Sequence, residues 1–160
     1  MKIVVLKFGG TSVGTIQKIK KVADIIAYYK RKNYKVIVIS SAMSGVTNDL
    51  IKKSSKISDN FSDAEHDILV SLGEQMACSL IAGRLIHKGY KSRSWASWQV
   101  PIITVGTYKN ARINQIDKKE ITKYLKEGGI PIITGFQGVN SENRITTIGR
   151  GGSDATAIMF

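Results

Sequence analysis

The stretch "KIVVLKFGGTSVGT" (residues 2–15) decides how the rest of the chain is read. Its first six residues are a nearly unbroken apolar run with Val and Ile, the pattern of a strand buried on both faces in a parallel sheet. A glycine-rich turn follows. From Ile16 to about Lys32, apolar residues recur at helical spacing: Ile16, Ile19, Val22, Ala23, Ile26 and Tyr29. Then "VIVIS" (36–40) reads as a second buried strand. Strand, glycine turn, helix and strand in forty residues make a βαβ unit, for which the expected crossover is right-handed.

Working outward, the second strand runs into "SAMSGVTNDLI" (41–51), where Gly45 breaks it and Thr47 or Asn48 is expected to cap a short helix to about Lys56. A long helix is expected from about Asp63 to His87, with Ile68, Leu69, Leu72, Met76, Leu80 and Leu85 as its apolar stripe and Gly89 beyond its end. "SRSWAS" (92–97) and "VPIITV" (100–105) are short strand candidates. "QIDKKEITKYLKEG" (115–128) reads as an amphipathic helix, and "IPIITGFQGVN" (130–140) as a buried strand ending in a glycine loop. "RITTIGRGGSD" (144–154) reads as a strand, a glycine loop and a helix start. With no repeat, linker or low-complexity segment, the chain reads as one α/β unit.

Composition narrows the function. At 160 residues and 42% hydrophobic content the chain can build a core. No run of about 18 apolar residues suggests a membrane span, and the N-terminus lacks the small-residue cleavage site of a signal peptide. Cys78 is the only cysteine, so no disulfide framework exists and a reducing cytoplasm is the default. The net charge of +12 invites a nucleic-acid reading. Most of that charge is Lys scattered over expected helix surfaces, without an RNA-binding aromatic motif or zinc spacing, so nucleic acid is not the expected partner. His66, His87 and Cys78 read as ordinary structural residues, and no metal site is expected.

Three glycine-rich loops follow three strands that are expected to share one sheet. Ligands of open α/β sheets bind beyond the carboxyl ends of the strands, and glycine lets backbone approach them closely. The first loop is neither a Walker A loop nor a G-x-G-x-x-G fingerprint, because its lysine precedes the glycines. An ammonium at Lys7 would sit at the strand's end, suited to neutralising charge on a transferring phosphoryl group.

The ordered set "KFGGTSV" (7–13), "SAMSGVTNDL" (41–50), "LGEQMA" (72–77), "GFQG" (135–138) and "GRGGSDATA" (149–157) resembles the aspartate kinases. "SWASWQVPIIT" (94–104) and "ARI" (111–113) resemble that family's intervening segment, so the likeness covers essentially the whole chain. It implies the amino-acid-kinase fold, a three-layer α/β/α sandwich around a mostly parallel sheet. It also implies transfer of the γ-phosphoryl group of ATP, carried with Mg2+, to the side-chain carboxylate of L-aspartate. The product, 4-phospho-L-aspartate, would feed the synthesis of diaminopimelate, lysine, threonine and methionine.

Roles carry over by position. Lys7 resembles the lysine that contacts the phosphates and stabilises the transition state, and Asp154 the catalytic aspartate that orients Lys7 or the reacting groups. Gly9, Gly10 and Ser12 resemble the phosphate loop, and Ser40 is expected to line the same pocket. Thr47 and Ser153 resemble substrate-site residues, Glu74 the acid that pairs with the aspartate ammonium, and Arg150 the guanidinium that grips a substrate carboxylate. Gly135 and Gly138 are expected to let backbone approach the substrate.

In that family "GRGGSDATA" lies mid-domain. The resemblance therefore implies that these residues form the front part of the kinase domain, with the nucleotide-side half and the ACT regulatory domains outside them. Little activity in isolation, and association into a homo-oligomer through uncovered apolar surface, are expected. Two alternatives stay open: another small-carboxylate kinase of the same fold, and an inactive remnant that acts only by binding.

Overall fold

The computed structural model describes residues 2–149 and 151–160. It builds a parallel sheet from β1 (Ile3–Phe8), β2 (Lys35–Ser40), β3 (Ser92–Trp95) and β6 (Ile130–Thr134), in the order β1-β2-β6-β3. β1 and β2 are joined through α1 (Ile16–Arg31), whose start is capped by Thr15 accepting a hydrogen bond from Lys18 N. The expected βαβ unit is therefore present. β2 and β6 are central and buried along almost their whole length. β1 lies at the sheet's edge and is only half-buried, unlike the doubly buried strand expected; its apolar run faces a neighbour on one side only.

Strand alternation assigns the two faces. Val36 and Val38 of β2, with Ile130 and Ile132, pack beneath α1 and α3 (Asp63–His87). Ile37, Ile39 and Ile133 face the other way, against Trp95, Val100 and Ile102 and against Ile121 and Leu125 of α4 (Lys119–Lys126). Ala157, in α5 (Gly152–Ile158), closes the same side. This is the expected three-layer α/β/α arrangement.

A second sheet was not foreseen. It orders β5 (Arg112–Ile116), β4 (Ile102–Val105), β7 (Gln137–Val139) and β8 (Ile145–Thr147), with β4–β5 and β7–β8 antiparallel. The run expected as one strand ending in a glycine loop (130–140) is two strands in two sheets. Gly135 and Phe136 separate them, and Phe136 takes the left-handed conformation at φ 67°. Consequently the third glycine loop leaves β8 of the second sheet rather than a strand of the parallel sheet.

The face of α3 is also corrected. Leu72, Met76 and Leu80 are exposed, while smaller and polar residues (Ser71, Gly73, Glu74, Ala77, Cys78) point inward with Ile81 and Leu85. Close approach of the helix to the sheet favours small side chains there. α3 is long and apolar enough on average to cross a membrane, but half of that stretch is buried inside the fold, around the carboxylates Asp67 and Glu74. α2 (Val46–Ile57) starts after Gly45 at φ 87°, so Thr47 sits in the first turn and is not the cap.

Candidate functional site

At the carboxyl ends of β1 and β2 lies a cleft of about 330 Å³. Lys7, the penultimate residue of β1, enters it from the α5 side of the sheet, and its Nζ stands 3.0 Å from Asp154 Oδ1. The pair is open to solvent, so its contribution to stability is small and its geometry is what counts.

The loop after β1 is tightly wound. Ser12 N and Val13 N both donate to Gly9 O, at 2.9 and 3.3 Å. Gly10 rests against the β2–α2 loop: a Cβ there would lie 3.0 Å from Ala42 O, and Ser44 N donates to Gly10 O. Gly9, Gly10 and Ser12 border the site beside Lys7 without lining the cleft itself.

β2 supplies the second wall. Ser40, expected to line the pocket, is fully buried, and its hydroxyl donates to Ser41 O. Ser41 takes that place instead, donating to Ser153 Oγ at 3.0 Å. Ser40 is still paired within β2, and Ser41 is the first residue beyond it. Thr47 lines the cleft from α2.

Glu74 comes from the middle of α3 and is 3% exposed. Its Oε1 accepts a hydrogen bond from Ala42 N at 3.0 Å, while Oε2 has no partner. Burial pushes its pKa up to about 7, against the smaller opposing effect of the Ala42 hydrogen bond. Gly73 makes the approach possible, since a Cβ there would lie 2.7 Å from that of Ala42. The sequence reading did not single out Gly73, although a glycine inside a helix already asks for a packing reason.

The remaining wall is the turn from Gly151 into α5. Gly151 has φ 79°, and Ser153 and Asp154 follow on the first turn. Gly135 admits Ser153: a Cβ at 135 would lie 2.8 Å from the serine's Cβ and Oγ. Gly138 does something else. A Cβ there would strike Thr104 and Ile102, so its glycine lets β7 pair with β4 and does not serve the substrate side. Phe136, also missed, lines the cleft, held by Ile148 N donating to its carbonyl. Arg150 lies outside the described residues.

The structure thus brings Lys7, Thr47, Glu74, Ser153 and Asp154 to one cleft. It offers a cationic end, an unpartnered buried carboxylate oxygen and hydroxyls between them. Such a site can hold an ammonium at Glu74 and anionic oxygens at Lys7. Among the described residues no group of three or more His, Cys, Asp or Glu side chains could hold a metal ion. Cys78 is fully buried, and desolvation followed by the nearby Glu74 charge pushes its thiol pKa up, which leaves it inert.

Residues 2–160 match the Amino acid kinase family. An aspartokinase of Rickettsia felis is 45% identical over 163 residues, covering 100% of this chain and 41% of the relative. One from Geobacillus stearothermophilus is 46% identical over 158 residues, covering 99% and 39%. The chain spans about two fifths of the length of these curated relatives. Among solved structures, the aspartate kinase of Synechocystis superposes with a TM-score of 0.79 at 34% identity, over 99% of this chain and 26% of that one. E. coli aspartokinase III in complex with aspartate and ADP superposes with a TM-score of 0.82 at 24% identity, over 99% and 46%. At that identity the likeness concerns the fold.

Proposed function

From the premise that the chain belongs to the amino acid kinase family, we propose that it phosphorylates the side-chain carboxylate of L-aspartate with ATP. The observation that carries this reading is Glu74: a carboxylate buried in the cleft wall with one oxygen unpartnered. A substrate ammonium would satisfy that oxygen. The similarity to named aspartokinases supports aspartate as the amino acid.

In the proposed reaction a side-chain oxygen of the bound aspartate attacks the γ-phosphorus. The new bond is carboxylate oxygen to phosphorus, and the bond to the β–γ bridging oxygen breaks, releasing ADP. The nucleophile is already an anion, so no proton has to be removed and no general base is needed. What remains is alignment and charge stabilisation. Lys7 would supply positive charge to the transferring group, and Asp154 would hold the ammonium in place from 3.0 Å. Gly9 and Gly10 would let backbone approach the phosphates. Thr47, Ser41 and Ser153 would orient the substrate by hydrogen bonds. Mg2+ would arrive on the nucleotide. The resemblance also proposes Arg150 for a substrate carboxylate, the front of a longer kinase domain for residues 1–160, and action in the cytoplasm ahead of lysine, threonine and methionine synthesis.

The test is ADP release by the full-length protein with ATP and Mg2+, comparing L-aspartate with L-glutamate. We expect turnover with aspartate only. Lys7→Met should lower kcat by roughly 100-fold or more while leaving the fold intact by circular dichroism. Equal turnover with glutamate, or a Lys7→Met variant of normal rate, would sink the assignment.

A further inference from the structure

Asp67 is fully buried on α3, away from the cleft. A carboxylate in that position is costly unless every oxygen is hydrogen-bonded. Here Oδ2 accepts from Thr147 N at 2.7 Å and from Lys109 N at 2.9 Å, and Oδ1 accepts from Thr147 Oγ1 at 2.8 Å. His66 Nδ1 stands 3.4 Å from Oδ1. The chemistry described above uses none of these groups.

Where those bonds go matters more than their number. Thr147 ends β8, the strand that leads into the Gly151–Asp154 wall of the cleft. The next residue, Ile148, donates its N–H to Phe136 O, and a Cβ on Gly152 would lie 2.9 Å from the Cβ of Ile148. A contiguous path therefore joins Asp67 to Phe136, Ser153 and Asp154. Glu74 lies seven residues further along α3, two helical turns on and on the same inward face. One rigid helix thus holds both walls: Glu74 directly, and the Asp154 wall through Asp67.

We propose that Asp67 is a positioning residue that fixes the distance across the cleft between Glu74 and the Lys7–Asp154 pair. The assignment of a catalytic consequence rests on the kinase reading given above. In-line transfer needs the amino acid and the phosphoryl group at a set separation, and an error of about 1 Å costs roughly 100-fold in rate.

The experiment uses the full-length protein. Asp67→Ala strips the partner from two backbone N–H groups and one hydroxyl. It should lower kcat roughly 10- to 100-fold and leave the aspartate KM within about twofold, because Glu74 keeps its bond to Ala42. Asp67→Asn should restore most of kcat, since its carbonyl accepts the two N–H groups and its amide donates to the Thr147 hydroxyl. If Asp67→Ala does not fold, Thr147→Val replaces it, with Thr147→Ser as the variant that retains the hydroxyl. Leu85→Ala, a cavity on the same helix far from this path, is the stability control and should lower Tm with kcat preserved. Hydrogen exchange adds a readout that needs no catalysis: amides of residues 147–149 and 151–156 should exchange faster in the Asp67 or Thr147 variant while those of 41–46 do not. Variants that lose stability as Leu85→Ala does, with kcat and local exchange unchanged, would overturn the proposal. A wild-type protein without aspartate kinase activity would refute the kinase reading alone, and the exchange pattern would still decide the clamp.

Discussion

The position of Glu74 is costly to folding. Its carboxylate is buried with one oxygen unpaired, and desolvation lifts its pKa from the ordinary 4.5 to about 7. Between those two values the folded chain binds a proton that the unfolded chain has released. This group's contribution to stability therefore falls as pH rises through that window. Glu74→Gln keeps an acceptor for Ala42 N and removes the buried charge. Thermal unfolding at pH 8 should show a higher Tm for the variant, by the equivalent of roughly 1–3 kcal/mol, with the gain shrinking towards pH 4.5. Its aspartate KM should rise about 100-fold, because a neutral amide pairs poorly with an ammonium. In the wild type, kcat/KM for aspartate should fall as pH drops from 8 to 6, and that limb of the profile should vanish in the variant. A variant no more stable at pH 8 and still pH-dependent would place the titrating group elsewhere.

At the scale of elements, α3 is the spine from which the site is hung, and its glycines are not equivalent. A Cβ on Gly73 would meet that of Ala42 at 2.7 Å, whereas one on Gly83 would meet nothing within 4 Å. Gly73→Ala must push α3 from the β2–α2 loop, stretching the Glu74–Ala42 bond. It should cost about 1–3 kcal/mol and raise the aspartate KM. Gly83→Ala should instead stabilise by roughly 0.5–1 kcal/mol through helix propensity with unchanged kinetics. Denaturant unfolding with steady-state kinetics on the pair separates close packing from propensity. Periodicity could not have told these glycines apart, because both lie within one helix and differ only in what another element places opposite them.

For the whole molecule, Leu72, Met76 and Leu80 form an exposed apolar line along α3, and we propose it as the face for the self-association expected from uncovered apolar surface. Leu72→Glu with Leu80→Glu should shift the protein to a smaller species in sedimentation, with Tm little changed; an unchanged sedimentation coefficient would free this face of that role. The same helix marks how far the sequence could be read. Its limits follow from local apolar spacing and from Gly89 beyond its end, and those of α1 and β2 from local apolar spacing, so they were legible from the chain alone. That Lys7, Thr47, Glu74, Ser153 and Asp154 line one cleft matches what the resemblance of the ordered motifs implies. Which face of α3 turns inward was not legible, because depth in the fold favoured small side chains over the large apolar stripe. Nor was the second sheet: β5, β7 and β8 are three to five residues long, and they pair with β4 or with one another across segments distant in the chain. The exchange of Ser40 for Ser41, the packing duty of Gly138 and the buried bonds of Asp67 arise where segments distant in the chain meet. The sequence by itself determined the βαβ core, because that depends on local periodicity, and its ordered motifs implied by resemblance which residue types the cleft would offer. Tertiary structure alone decided which of those groups face one another and at what distance, because that is set by contacts between segments whose separation along the chain carries no signal.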